Sequence, residues 1–198
     1  MSCLKQTLLI LVTFLPVFSY SQKCKTSAEI LEGIKKLNVL GSVLYIAAHP
    51  DDENTRLISY LSKDLKLNTA YLSLTRGDGG QNLIGSDLDE KLGVIRTNEL
   101  LEARKIDGGS QYFSRANDFG YSKNAEETFT IWNYDSVLCD VIRVIRGFKP
   151  DVIINRFDHR SSGKTHGHHT ASAILGLEAS KYSNSPLFKS DALKGTDM

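Results

Sequence analysis

Three cysteines in 198 residues are too few for a disulfide-stapled miniature scaffold, and there is no Cys-x-x-Cys pair to hold a structural metal or a redox couple. Charge of one sign is lacking as well. Lys plus Arg number 24 against 23 Asp plus Glu, a formal +1, which excludes a nucleic-acid binder held by bulk charge and an acidic solvating tail. Proline is scarce, with four residues, and there is no low-complexity tract or internal repeat, so collagen-like and disordered classes fall away. No Asn-x-Ser/Thr acceptor is present. The longest apolar run, Thr7 to Phe18, is shorter than the roughly 20 residues a membrane-spanning helix needs. What remains is ordinary globular composition, 41% hydrophobic and 24% charged, in a length suited to one domain.

That apolar run has a meaning of its own. It follows Lys5 and precedes small residues at Ser19 and Ser21, the layout of a secretory signal peptide. Residues 1–21 are therefore expected to be removed near Ser21-Gln22, which predicts an exported protein, periplasmic or secreted, with no stable membrane span after cleavage. Cys24 follows Ser-Gln-Lys, which argues against a lipoprotein. Residues 22–198 are expected to form one domain. Its loop-like end, Ser183 to Met198, has no closing strand, the pattern of a domain truncated at its C-terminus. Cys24 and Cys139 are the thiols left after cleavage and could pair in an oxidising compartment, although Cys139 sits in a helical pattern and reads as core.

Along the mature chain, short apolar runs alternate with helical periodicity. Val43 to Ala48, Ala70 to Thr75 and Pro150 to Asn155 read as strands, the first as a buried parallel one. Ala28 to Leu37, a stretch ending near Lys63, Leu88 to Ile106, Tyr134 to Phe148 and His166 to about Tyr182 read as helices, with Gly108-Gly109 and Gly147 as stops. Arg76-Gly-Asp-Gly-Gly80 must be a loop. Tyr112 to Glu127 has no clean period and reads as a long surface excursion. The alternation predicts an α/β fold, a Rossmann-like, mostly parallel sheet with helices on both faces.

The densest chemistry follows the first strand, in Ala47-Ala-His-Pro-Asp-Asp-Glu53. Ligands in open parallel sheets sit at that carboxyl edge. His49 and Asp52, three apart, would share one face of a first helical turn and supply two ligands to a first-row metal. Asp51 would point elsewhere, toward a metal-activated water, as general base. The bland reading is an acidic helix start, which His-Pro and the strand context weaken. Four of the five histidines fall between His159 and His169. One of Thr165-His-Gly-His-His169 could complete a two-His, one-Asp set, and another could serve as acid or oxyanion partner. Trp132, near Phe129, Ile131 and Tyr134, reads as core ahead of a sugar platform. Tyr112, Phe113 and Tyr121 are better candidates to stack on a sugar. Asp78 reads equally as a turn residue or as a support to a ligand. Arg76-Gly-Asp78 is better explained by its loop than by adhesion.

AHPDDE after one strand, TRGDGG after the next, and a late His-x-x-His resemble the PIG-L/LmbE-like deacetylases, over roughly Val43 to Leu177. These are zinc-dependent enzymes that remove acetyl groups from N-acetylglucosamine-containing substrates, and some relatives cleave other amides. The resemblance implies His49, Asp52 and His169 as ligands of Zn(2+), Asp51 as general base, and His166 as the histidine that supports the oxyanion or protonates the amine. It also implies a place near the substrate pocket for Arg96. The common late motif has Pro-Asp between its histidines where this chain has Gly167-His168, so His168 is a second candidate for the third ligand and the register favours His169. Fe(2+) and Co(2+) suit the same donors. The expected activity is a deacetylase acting on an N-acylated amino sugar or glycoconjugate. The alternatives are a hydrolase of another amide, a non-catalytic sugar-binding module on the same fold, and a metallophosphoesterase, which would generally need a second metal. No nucleic-acid partner is expected.

Overall fold

The computed structural model describes residues 24–185. The expected signal peptide and everything after residue 185 lie outside the described residues. The chain divides into two compact units, one up to Ile34 and one from Lys35 onward. The first carries most of helix α1 (Ser27–Lys36). Its start is a capping box: Glu29 N donates to Thr26 Oγ1, and Thr26 N donates back to the Glu29 carboxylate.

The second unit is built on a four-stranded, all-parallel sheet in the order β3-β2-β1-β4. The strands are β1 (Ser42–Ala47), β2 (Asn68–Ser73), β3 (Ser110–Phe113) and β4 (Val152–Asn155). The helices are α2 (Thr55–Ser59), which runs into a π-helical turn over Tyr60–Asp64, then α3 (Glu90–Asp107), α4 (Ala125–Ile131), α5 (Tyr134–Phe148) and α6 (Gly167–Ser183). This is the expected α/β architecture.

Every residue of β1 is buried, as a central parallel strand with both faces covered requires. Successive side chains go to opposite faces. Leu44, Ile46 and Leu72 join Val141, Ile142 and Leu175 in the larger core, under α5 and α6. Tyr45, Ala47 and Tyr71 join Ile58 of α2 and Leu100 of α3 in the smaller one. The chain builds outward from β1 through β2 to β3, then crosses to β4 on the other side of β1. That reversal puts a topological switch point between β1 and β4, where the carboxyl ends of the strands leave a crevice.

Sequence reading missed β3 and α4, which overlap the two ends of the stretch expected to be a surface excursion. β3 is a four-residue edge strand, Ser-Gln-Tyr-Phe, with no fully buried position, so it carries no apolar alternation. α4 has two turns and is announced by Asn124, whose side chain accepts from Glu127 N at 2.8 Å. Helix α5 runs through Gly147 and stops at Lys149, whose φ of 55° puts it in the left-handed region. Pro150 then prevents continuation. Helix α3 ends as expected at Gly108, φ 83°. Its buried face is not purely apolar, because Arg104 and Asp107 lie on it beside Leu92 and Leu100.

Candidate functional site

His49 follows β1 directly. His49-Pro-Asp-Asp52 forms a tight turn and not the expected first turn of a helix, which begins only at Thr55 behind the Asn54 cap. A residue before proline is disfavoured from helical backbone, so His49 stays out of a helix. The turn closes on itself: Asp52 N donates to His49 O at 3.2 Å, and His49 N donates to Asp52 Oδ2 at 2.8 Å. From β2, the buried Tyr71 hydroxyl donates to the His49 carbonyl. The carboxylate of Asp52 thus folds back to within 3.2 Å of His49 Nδ1.

Helix α6 brings the other imidazoles. His166 is its N-cap, receiving His168 N on Nδ1 at 3.4 Å. Gly167 follows because a Cβ there would collide with the Asn124 carbonyl oxygen and Ser122 Oγ; Gly167 N donates to Ser122 O at 2.9 Å. That close approach leaves no room for any side chain at 167. One residue on, His168 is fully buried. His169 lies at the rim, its ring stacked on Phe157 with centroids 3.9 Å apart and planes within 7°. Its Nδ1 meets Thr165 Oγ1 at 3.0 Å, and its Nε2 stands 3.5 Å from Asp52 Oδ1. A proton on Nδ1 directed to Thr165 leaves the Nε2 lone pair facing Asp52.

His49, Asp52 and His169 therefore each present a donor atom within 4.8 Å of the others. Two imidazoles and one carboxylate with space beside them suit a divalent first-row ion: zinc, iron(II) or cobalt(II). A second group, His49, His166 and His168, also converges within 4.8 Å. There the His49 Nε2 is already in a 2.9 Å hydrogen bond with His168 Nδ1. Either group could hold a metal, and the one with a carboxylate is the set expected from the sequence.

Electrostatics separate the four imidazoles. Burial works against charge on His49, but the hydrogen bond and charge of Asp52 prevail and raise its pKa above 6.5. Burial would raise the Asp52 pKa, yet the His49 hydrogen bond and charge lower it. Burial pushes His169 down to about 4, with His49 adding to the effect. Burial and the neighbouring His49 push His168 down to about 2. Burial, then His49, lowers His166 as well. At neutral pH His166, His168 and His169 are therefore uncharged.

These groups open into a cavity of about 750 Å³ that holds Asp51, Arg96, His166 and His169. Asp51 is exposed and ion-paired with Arg96 of α3 at 3.2 Å. Gly79 and Gly80 of the glycine-rich loop line the same cavity; a Cβ at Gly79 would strike the backbone of Asp118 and Gly120. So His49, Asp51, Asp52, Arg96, His166 and His169, the site residues that the resemblance implied, all line this one cavity. Sequence reasoning missed Asp118, which is buried and lines the cavity. It comes from the segment after β3, where a lone aspartate carries no local signal. Tyr121, weighed for sugar stacking, is exposed in the cavity with its ring on His166 at 5.3 Å. Tyr112 and Phe113 lie in β3 and are absent from the cavity lining. Trp132 is core, its Nε1 donating to Asn117 O at 2.7 Å. The Asp78 carboxylate receives Asp118 N at 3.5 Å, and Asp78 borders a separate apolar groove of about 420 Å³ that contains no histidine. Cys24 and Cys139 are free thiols, the first exposed and the second buried.

Among solved structures, the fold is shared with N,N'-diacetylchitobiose deacetylase from Pyrococcus horikoshii, at 21% identity and TM-score 0.60 over 87% of this chain and 65% of that one. It is shared with GalB, the 4-carboxy-2-hydroxymuconate hydratase of Pseudomonas putida, at 19% identity and TM-score 0.58 over 77% of this chain and 61% of that one. The conserved protein TT1542 of Thermus thermophilus aligns at 21% identity and TM-score 0.50 over 75% of this chain and 58% of that one. The chain thus spans less than two thirds of each of these proteins, and at such identities they speak to the fold alone. No curated protein matches by sequence. A family model does: residues 44–180, which include every residue of the cavity described above, match PIG-L, GlcNAc-PI de-N-acetylase, and the chain belongs to that family.

Proposed function

We propose that this protein is an exported, metal-dependent amidohydrolase that removes an acyl group, acetyl first among them, from an amino sugar or a glycoconjugate containing one. The observation that carries the reading is the convergence of His49, Asp52 and His169 with an exposed carboxylate, Asp51, and an uncharged imidazole, His166, around one cavity. Family membership and the deacetylase among the structural neighbours support it. A divalent ion held by His49, Asp52 and His169 would polarise the amide carbonyl and acidify a water molecule. Asp51 takes the proton from that water as its oxygen bonds to the carbonyl carbon, with Arg96 orienting the carboxylate from 3.2 Å. His166 Nδ1 is met by the backbone N–H groups of Ser122 and His168 and by the Ser122 hydroxyl, each at 3.4 Å, and by the Ser122 carbonyl at 3.2 Å. In the tautomer in which Nδ1 accepts from those N–H groups the proton is on Nε2, from which His166 can hold a developing oxyanion. Asp51 returns its proton to the nitrogen as the C–N bond breaks, which releases a carboxylic acid and a free amine. Tyr121 offers the sugar a flat wall next to His166.

The test is acetate release from N-acetylglucosamine oligomers by zinc-loaded and chelated protein, with Asp51→Asn as control. Activity is expected to need the metal, and Asp51→Asn to lose on the order of 10²–10⁴-fold while metal stays bound. A sugar-binding module would bind the oligomers and release nothing. The hydratase on the same fold gives a second reading, water addition to an unsaturated carboxylate held by Arg96. It predicts loss of conjugated absorbance and no acetate.

A further inference from the structure

A metal-bound imidazole needs a partner on its other nitrogen to fix its tautomer and orientation, and that partner is usually a carboxylate or a carbonyl. His49 Nε2 has neither. Its partner is the Nδ1 of His168, 2.9 Å away in the buried side of the site. The nearest carboxylate on that side, Asp118, stands 3.9 Å from the same Nδ1 and is out of hydrogen-bond reach. We infer that His168 is a positioning residue, the acceptor that lets His49 carry its proton on Nε2 and so offer the Nδ1 lone pair to a metal. The inference rests on His49, Asp52 and His169 being the metal centre.

Two tautomers of the pair compete. In one, His168 donates from Nδ1 and His49 keeps a proton on its own Nδ1, directed at Asp52; that form blocks the metal. In the other, His49 donates from Nε2, and the donor set of Nδ1, Asp52 and His169 is complete. With the Nδ1 lone pair given to a metal, the His49 proton must sit on Nε2, and only a group that can accept at this point keeps that buried N–H paired. His168 cannot turn away from the task. Its ring is fully enclosed, stacked on Trp132 at 4.8 Å and set edge-to-face with Phe119 at 4.4 Å. Trp132 is itself tied by its Nε1 to the Asn117 carbonyl. In the second form the proton of His168 stands on its own Nε2, which has no hydrogen-bond partner among the described residues, so the ring's one hydrogen bond is the one Nδ1 makes with His49. A side chain held so rigidly for a single contact to a metal-ligating ring is built for orientation.

The experiment is metal affinity, read by competition between a chelator and the metal-stripped chain for Zn(2+) or Co(2+). His168→Phe keeps the stacked ring and removes the acceptor; His168→Asn keeps an acceptor oxygen where Nδ1 stood. The Phe variant is expected to bind metal about 10–100-fold more weakly, and the Asn variant to stay within about threefold of the unsubstituted chain. Nitrogen-15 NMR of the unsubstituted, zinc-loaded chain is expected to show His49 protonated at Nε2 and His168 unprotonated at Nδ1, a result independent of how either variant folds. Equal affinity in the folded Phe variant, or a proton on Nδ1 of His168 in the loaded chain, overturns the inference and leaves the metal centre standing. Failure of the unsubstituted chain to bind either ion overturns the metal centre and the inference with it.

Discussion

His49 is pulled in two directions. Burial disfavours its charge and Asp52 favours it, and Asp52 wins, so the metal-free ring holds its proton above the ordinary histidine value. A metal must displace that proton. With the folded pKa raised, the His49–Asp52 pair stabilises metal-free protein fully below about pH 6.5, and the contribution is lost as pH rises through the folded value. The same sign makes metal binding weaken as pH falls. Affinity for zinc, measured by calorimetry between about pH 5.5 and 8, is expected to be flat above the His49 pKa and to drop about tenfold per unit below it. His169, pushed down to about 4, adds no second proton in that range. Affinity that does not change across the range would show that His49 is not a ligand. His49, Asp51 and Asp52 were legible as a cluster because they are adjacent in the chain. The pairing of Asp51 with Arg96 was not, since it joins a loop to a helix 45 positions on.

Helices position this chemistry through contacts that periodicity does not reveal. Arg104, on the buried face of α3, forms a bidentate pair with Asp107, reaches Glu53 behind the metal-binding turn at 3.7 Å, and lies over Tyr71, whose hydroxyl holds the His49 carbonyl. Arg104→Met would strand the buried Asp107 carboxylate and remove the partner of the partly buried Glu53. It is expected to cost about 3–5 kcal/mol in urea denaturation. At the start of α6, Gly167→Ala would push a methyl group into the Asn124 carbonyl and Ser122 Oγ. We expect about 1–3 kcal/mol of destabilisation together with weaker metal binding, because the displaced turn carries His166 through His169. A stable variant with unchanged affinity would show that the 122–124 segment yields freely. The long helices α3, α5 and α6 were legible from their apolar spacing and their stops. Strand β3 and helix α4 were not: an edge strand of four residues and a two-turn helix take their stability from neighbours rather than from their own pattern.

Across the whole molecule, the candidate metal centre joins the ends of two neighbouring strands, through the turn after β1 and the helix after β4. A ligand that binds only the folded chain stabilises it by mass action, about 2.7 kcal/mol at a hundredfold excess over Kd. For a domain of this size that is about 5–10 °C in Tm. Chelation is expected to lower Tm by that amount and zinc to restore it, as followed by calorimetry; a Tm indifferent to both would contradict the site. The amino-acid sequence alone determined the α/β class, the central buried strand, the motif that opens the site and the family it resembles, because these depend on local composition and on residues close in the chain. Only the tertiary structure decided that Asp52 folds back on His49 through a turn, that Asp118 and Tyr121 reach the cavity, and that His169 stands at the rim while His168 is buried behind it. The first depends on the turn that closes between His49 and Asp52; the others depend on the crossover from β3 to β4, which brings residues more than 100 positions apart to one edge of the sheet.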